Sequence, residues 1–176
     1  MIHIHQGINA LGAFKTQSLQ LKITQAQAGL KLLGAEFIHF VNLNDSLDEN
    51  KTKQLTQLLS YSEPLNINNA ISSIIVIPRL GTISPWSSKA TDIMHLCDMT
   101  QIKRIERAVV YHFDAKIKSQ SAVLACVMDK MTESELSSMD EANTIFNNFE
   151  PRLFSNIDIL NQGKTALEKT NIELGL

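Results

Sequence analysis

Cysteine is nearly absent: Cys97 and Cys126 are the two in 176 residues, and neither sits in a Cys-x-x-Cys pair or a zinc-ligand spacing. A disulfide scaffold and a structural zinc site are therefore not expected, and both thiols are read as reduced and buried. Positive charge is not in excess either, with 16 Lys and Arg against 18 Asp and Glu and a net charge of -2. An electrostatic grip on nucleic acid needs a clustered basic face; none is visible, so nucleic-acid partners are not expected. No apolar run approaches the ~18 residues that span a bilayer, and "MIHIHQG" at the start lacks the basic-then-apolar order of a secretory leader. A cytoplasmic protein without membrane partners is the expectation. The five histidines are scattered. His3 and His5 share a strand face but lack further ligands, so no metal site is expected. No Gly-x-Ser-x-Gly elbow and no full phosphate-loop or dinucleotide fingerprint occurs, which removes the common signatures of hydrolysis and nucleotide binding.

What is present is a patterned chain, 44% apolar and 19% charged, long enough for one domain with a substantial core. "MIHIHQG" alternates as a short strand, and Leu19, Ile23, Ala26, Leu30 and Leu33 repeat at helical spacing up to Gly34, a helix-ending glycine. "AEFIHFVNL" reads as a strand, and Asn44 or Asp45 is placed to cap a helix carrying Leu55, Leu58 and Leu59. After the polar connection "YSEPLNINNA" the order recurs: "SIIVIP" as a covered strand, a helix over 85–97, the long strand "IKRIERAVVYHFDA", and a helix over 119–131 with Val123, Val127 and Met131 on one side. The two copies are about seventy residues apart and share no residue-level identity. This predicts an α+β fold of duplicated strand-helix units, one sheet covered by helices on one face. Polar sequence follows Met131, then a short helical pattern through Ile145, Phe146 and Phe149 that Pro151 breaks. Leu160, Leu167 and Leu174 then mark a last helix over about 157–174 whose stripe is still running at the end, as if cut from a longer chain.

The densest chemistry lies in "PRLGTISPWSSKATDI", residues 78–93. Pro78 ends a strand, Gly81 permits a bend, and Ser84 followed by Pro85 starts a helix. Spacing places Trp86, Ala90, Ile93 and Cys97 on the core side and Ser87, Ser88, Thr91, Asp92 and His95 elsewhere. Arg79, Thr82, Ser84, Ser87, Ser88 and Lys89 then surround a helix N-terminus, whose free N–H groups and dipole suit a phosphate or carboxylate. A plainer reading stands beside it: Ser84 caps, Ser87 and Ser88 are solvated first-turn residues, and Lys89 pairs with Asp92 at i+3. On the strand beyond, alternation sets Arg104, Glu106 and His112 on one face and Lys103, Arg107 and the apolar residues on the other. The Arg104–Glu106 pair is either a surface ion pair worth ~0–1 kcal/mol or an anchor for a neighbouring domain.

"PRLGTISPWSSKATDI", then His95 and Cys97 in H-x-C and "RIER" at 104–107, resembles the N-terminal region of the large, single-chain phosphoribosylformylglycinamidine synthases. "AEFIHFVNLN" and "IDILNQGKTAL" extend the resemblance over essentially the whole chain. Two departures stand out: Ala108 follows "RIER" where the family usually has glycine, and "HLCDM" replaces the commoner "HNCGL", putting the turn after Cys97 in question.

The resemblance implies a PurS-like N-terminal domain over 1–150, similar to a fused pair of small PurS subunits, with the start of a linker over 151–176. It implies membership of a purine-biosynthetic glutamine amidotransferase, an ATP-dependent carbon-nitrogen ligase that makes the amidine from formylglycinamide ribonucleotide, glutamine and ATP. ATP and Mg²⁺ belong to the full-length enzyme and none is expected on this piece, which is expected to be inactive alone. Neither Cys97 nor Cys126 matches the glutaminase nucleophile. The expected partners are the synthetase and glutaminase domains of the same chain, and the expected role is docking on the synthetase, enclosing its active site and supporting coupling. Arg79, Thr82, Ser84, Ser87, Ser88, Lys89, Arg104, Glu106 and Arg107 are the candidates for contact with substrate or the domain seam, and no catalytic residue is expected. The alternative is a free-standing PurS-like binding or assembly module with another partner.

Overall fold

The computed structural model describes residues 1–147, 153–154 and 156–174. Five strands form one antiparallel sheet in the order β1-β2-β4-β3-β5, from β1 (Ile2–Asn9), β2 (Leu32–Leu43), β3 (Ser72–Pro78), β4 (Ile102–Phe113) and β5 (Glu133–Leu136). The helices are α1 (Ala13–Ala26), α2 (Glu49–Leu59), α3 (Pro85–Leu96), α4 (Gln120–Val127) and α5 (Ile159–Leu174), with a 3-10 helix at Met139–Phe146. The α+β class and the doubled strand-helix order are as the sequence predicts.

The repeat is a spatial one. In the central pair β2–β4, Ile38 faces Ala108, seventy residues away, so an approximate two-fold axis passes through that pair and carries β1 onto β3 and β2 onto β4. Both central strands are long and buried at consecutive positions over much of their length, as strands covered on both faces are. On one face α1 and α4 cover one end through Leu19, Ile23, Val123 and Val127, while α2 and α3 cover the other through Leu55, Leu59 and Met94. The opposite face buries Ile38, Phe40, Ala108 and Val110 under β5 and the 3-10 helix, through Leu136, Ala142 and Ile145. Ala108, the departure from the family glycine, is a buried member of that second core.

Several local expectations are corrected. The first helix stops at Ala26, not near Gly34. Leu30 and Leu33 fit helical spacing, but Leu30 follows a turn and Leu33 lies in β2, and Gly34 sits at an irregularity inside β2 where a Cβ would come within 3.3 Å of Leu65. The cap of α2 is Asp48, whose carboxylate accepts from the Lys51 N–H at 2.8 Å; Asn44 and Asp45 precede it in the loop. Helix α4 ends at Val127, leaving Met131 exposed, and "ESEL" within the polar text is a strand, recruited by pairing with β3 rather than by its own weak propensity. The C-terminal helix begins at Ile159 and kinks at Gly163. Phe149, Pro151 and the domain boundary drawn at 150 lie outside the described residues.

The altered turn after Cys97 is resolved as well. Helix α3 ends in a Schellman motif, with the Asp98 N–H donating to the His95 carbonyl and the Met99 N–H to that of Met94, both at 3.0 Å. The position that favours glycine is Asp98, held at a φ of 63°, so the aspartate keeps the motif at a backbone cost.

Candidate functional site

Strand β3 leaves the sheet at Pro78, while β4 continues alongside, so the 79–84 loop has to cross over the exposed margin of β4. Glu106 on β4 fastens it. Its carboxylate, 0% exposed, accepts from the Ser84 N–H at 3.1 Å and hydroxyl at 2.8 Å and from Arg104 Nη2 at 2.6 Å. Arg104 reaches the same loop by donating to the Thr82 carbonyl at 3.0 Å, and its guanidinium lies over the Phe146 ring. The helix start therefore already has its anion, supplied by the protein itself. Of the two readings of Arg104–Glu106, a solvent-exposed surface pair does not hold: the side chains are 14% and 0% exposed. Burial makes such a pair costly to break, because either partner alone is an uncompensated buried charge.

The polar stripe of α3 has a different role from the one its spacing predicts. Ser87 is fully buried and its hydroxyl donates to the Ile105 carbonyl at 2.5 Å. Thr91 Oγ1 accepts from the Ile105 N–H at 3.1 Å, and His95 Nε2 lies 2.7 Å from the Ile102 carbonyl. At i, i+4 and i+8, these three side chains take the hydrogen bonds that β3 no longer offers to the margin of β4. The buried positions of α3 are accordingly Ser87, Ala90 and Met94, whereas Ile93 is 49% exposed and Trp86 and Cys97 are half-buried. Of the expected Trp86-Ala90-Ile93-Cys97 core side, Ala90 is buried and Trp86 and Cys97 pack half-buried against the core, while Ile93 is left out and Ser87 and Met94 are buried in addition.

Trp86 also faces β2 and β4, with its ring centroid 5.4 Å from that of His39. There Arg107 is stacked against Phe37 at 4.1 Å and Trp86 at 4.8 Å, from its guanidinium carbon to each ring centroid. Its Nη1 donates to the Tyr61 hydroxyl at 3.0 Å, and that hydroxyl lies 2.9 Å from His39 Nε2. The Tyr61 hydroxyl thus bridges the Arg107 guanidinium and the His39 ring. Burial, aided by the Arg107 guanidinium and then by His5, pushes His39 down to about 3. Of this group Phe37, Trp86 and Arg107 line a cleft of about 440 Å³ whose lining also includes Arg79, Thr82, Ser84, Val109 and Glu133, while Tyr61 and His39 stand behind them.

The Formylglycinamide ribonucleotide amidotransferase N-terminal family matches residues 36–146, well over half of the chain. The chain belongs to this family. The matched stretch runs from β2 to the end of the 3-10 helix, and so contains the buried Glu106 anchor and every cleft residue named above. This amidotransferase N-terminal domain is part of a larger amidotransferase of purine biosynthesis.

The sequence candidates separate into four groups in this family member. Arg79, Thr82, Ser84 and Arg107 line the cleft; Arg104 and Glu106 hold its wall from behind; Ser87 is sealed in the helix-strand seam. Ser88 and Lys89 are exposed, and Lys89 borders a separate apolar hollow of about 270 Å³ between α2 and α3. Sequence reasoning missed Phe37, His39 and Tyr61. For Phe37 and His39 the one signal was the excess of aromatic residues beside histidine in "EFIHF", which strand propensity alone explains equally well, and Tyr61 stood in the polar connection "YSEPLNINNA".

Proposed function

We propose that this chain acts as a non-catalytic docking domain of the amidotransferase that converts formylglycinamide ribonucleotide, glutamine and ATP to the amidine. The face formed by 79–89 meets the synthetase domain, helps enclose the site where the ribonucleotide reacts, and supports coupling to the glutaminase. The observation that carries the reading is the rim of the cleft. Ile83 and Met131 stand 61% and 75% exposed beside Arg79, an arrangement of apolar and cationic groups suited to a neighbouring protein surface. The working chemistry belongs elsewhere in this reading: ATP and Mg²⁺ sit on the synthetase domain, and the catalytic cysteine on the glutaminase. Among the described residues no three His, Cys, Asp or Glu side chains converge as metal ligands. Likewise, among the described residues, no helix is long and apolar enough to cross a membrane, and the cytoplasm is the proposed location.

Arg79→Ala and Lys89→Ala in the full-length enzyme test this. The expected result is a several-fold loss of glutamine-coupled turnover or a rise in ribonucleotide KM, with the fold of the domain intact. Unchanged values of both quantities in both variants rule the reading out.

A further inference from the structure

Two cations line the cleft, Arg79 toward the rim and Arg107 between rings on the floor. Phe37 and Trp86 flank the guanidinium, Tyr61 takes one of its five N–H donors, and among the described residues no carboxylate forms an ion pair with it. A planar fork supported by rings presents its edge, the geometry that matches a carboxylate with two parallel hydrogen bonds. A phosphate fits the surroundings less well. The α3 start is closed by Ser84 and Glu106, Arg79 Nη1 donates to the Met131 carbonyl at 3.3 Å, and the lining carries a carboxylate, Glu133. With Arg79 Nη1 engaged by the Met131 carbonyl, the Arg107 guanidinium among apolar walls at Val76, Ile83, Pro85 and Val109 matches a negative charge on an apolar arm.

We propose that the Arg107 cleft receives one acidic side chain, flanked by apolar residues, from another domain of the same amidotransferase. This rests on the docking reading and gives it a specific contact. Neighbouring apolar residues cover Ile83 and Met131 while the carboxylate completes the Arg107 stack.

Trp86 is the only tryptophan, and it touches Arg107, so its emission reports on the cleft directly. Titrating the 176-residue chain with acetyl-Leu-Glu-Leu-amide and with its Gln counterpart is expected to show at least about tenfold tighter binding of the Glu peptide. Arg107→Met is expected to erase that preference. Arg107→Lys, which keeps charge but loses the fork, reduces it to about threefold or less and serves if the Met variant does not fold. Excess inorganic phosphate leaves the Glu peptide bound. Equal affinity of the two peptides, no binding of either at millimolar concentration, or displacement by stoichiometric phosphate each overturns the proposal, the last in favour of a small-anion site. The Arg79 and Lys89 measurements in the assembled enzyme decide the docking reading separately, since they leave Arg107 untouched.

Discussion

The two halves of the domain answer the same structural problem with different residues. A seventy-residue step carries Glu36 onto Glu106, yet Glu36 is partly exposed and pairs with His112 at 2.9 Å, while Glu106 is sealed beneath Ser84 and Arg104. The same step carries Phe37 onto Arg107 and His39 onto Val109, so one side of the axis supplies the rings and the other the cation. The strand-to-helix connections differ too: residues 10–12 join β1 to α1, whereas 79–84 join β3 to α3. The short connection leaves Gly12 as a cap without a side-chain bond and Phe14 85% exposed; the longer one is fastened by Glu106 and brings Trp86 over Arg107. The scaffold is a structural repeat, and a longer loop plus a buried carboxylate give one half of it the cleft.

The most disruptive test of that contrast is Glu106→Gln, which strands Arg104 and weakens the Ser84 bonds. It is expected to cost about 3–5 kcal/mol in denaturant unfolding. Glu36→Gln, at the matching position, is expected to cost no more than about 1 kcal/mol. Equal losses would break the comparison. Acid comes next. His39 is held down to about 3, so as pH falls below its ordinary 6.5 the unfolded chain takes the proton first. Its contribution is complete above about pH 6.5 and is lost at about 1.4 kcal/mol per pH unit until about pH 3. His39→Gln should flatten the stability profile by that slope between about pH 6.5 and 5, measured against the native chain.

Smaller effects sharpen the same picture. Ser87→Ala leaves the Ile105 carbonyl unsatisfied and is expected to cost about 1–2 kcal/mol, while Ser88→Ala, its exposed neighbour, stays within about 0.5 kcal/mol by thermal unfolding. Asp98→Gly should raise stability by about 0.5–1 kcal/mol, since glycine relieves the left-handed C-cap that aspartate now occupies. No gain in melting temperature would mean that the Lys51 ammonium, 2.6 Å from the Asp98 carbonyl and 3.8 Å from its carboxylate, already offsets the strain.

Much of the fold was legible because strands and helices write their own periods. β3, α3 and β4 lie within a residue or two of their expected limits, and Ser84 caps as its type and position predict. "ESEL" was illegible because its strand exists only through pairing with β3, and the run into Gly34 was misread because Leu30 and Leu33 continue the helical spacing although Leu33 belongs to β2. At the site, the loop and arginines were legible as a cluster of unusual residues. Their division of labour was not, because it depends on which strand ends first.

The sequence by itself determined the element order, the seventy-residue doubling, the capped helix start at Ser84 and, through quoted motifs, the family. Only the tertiary structure decided that Glu106 is the anion at that helix start, that Ser87, Thr91 and His95 replace a departed strand, and that Arg107 stands between Phe37 and Trp86. The physical reason is locality. Periodicity and caps are set by neighbours within a few residues, whereas burying a charge or an unpaired backbone group obliges whichever distant side chain the packing brings near to satisfy it.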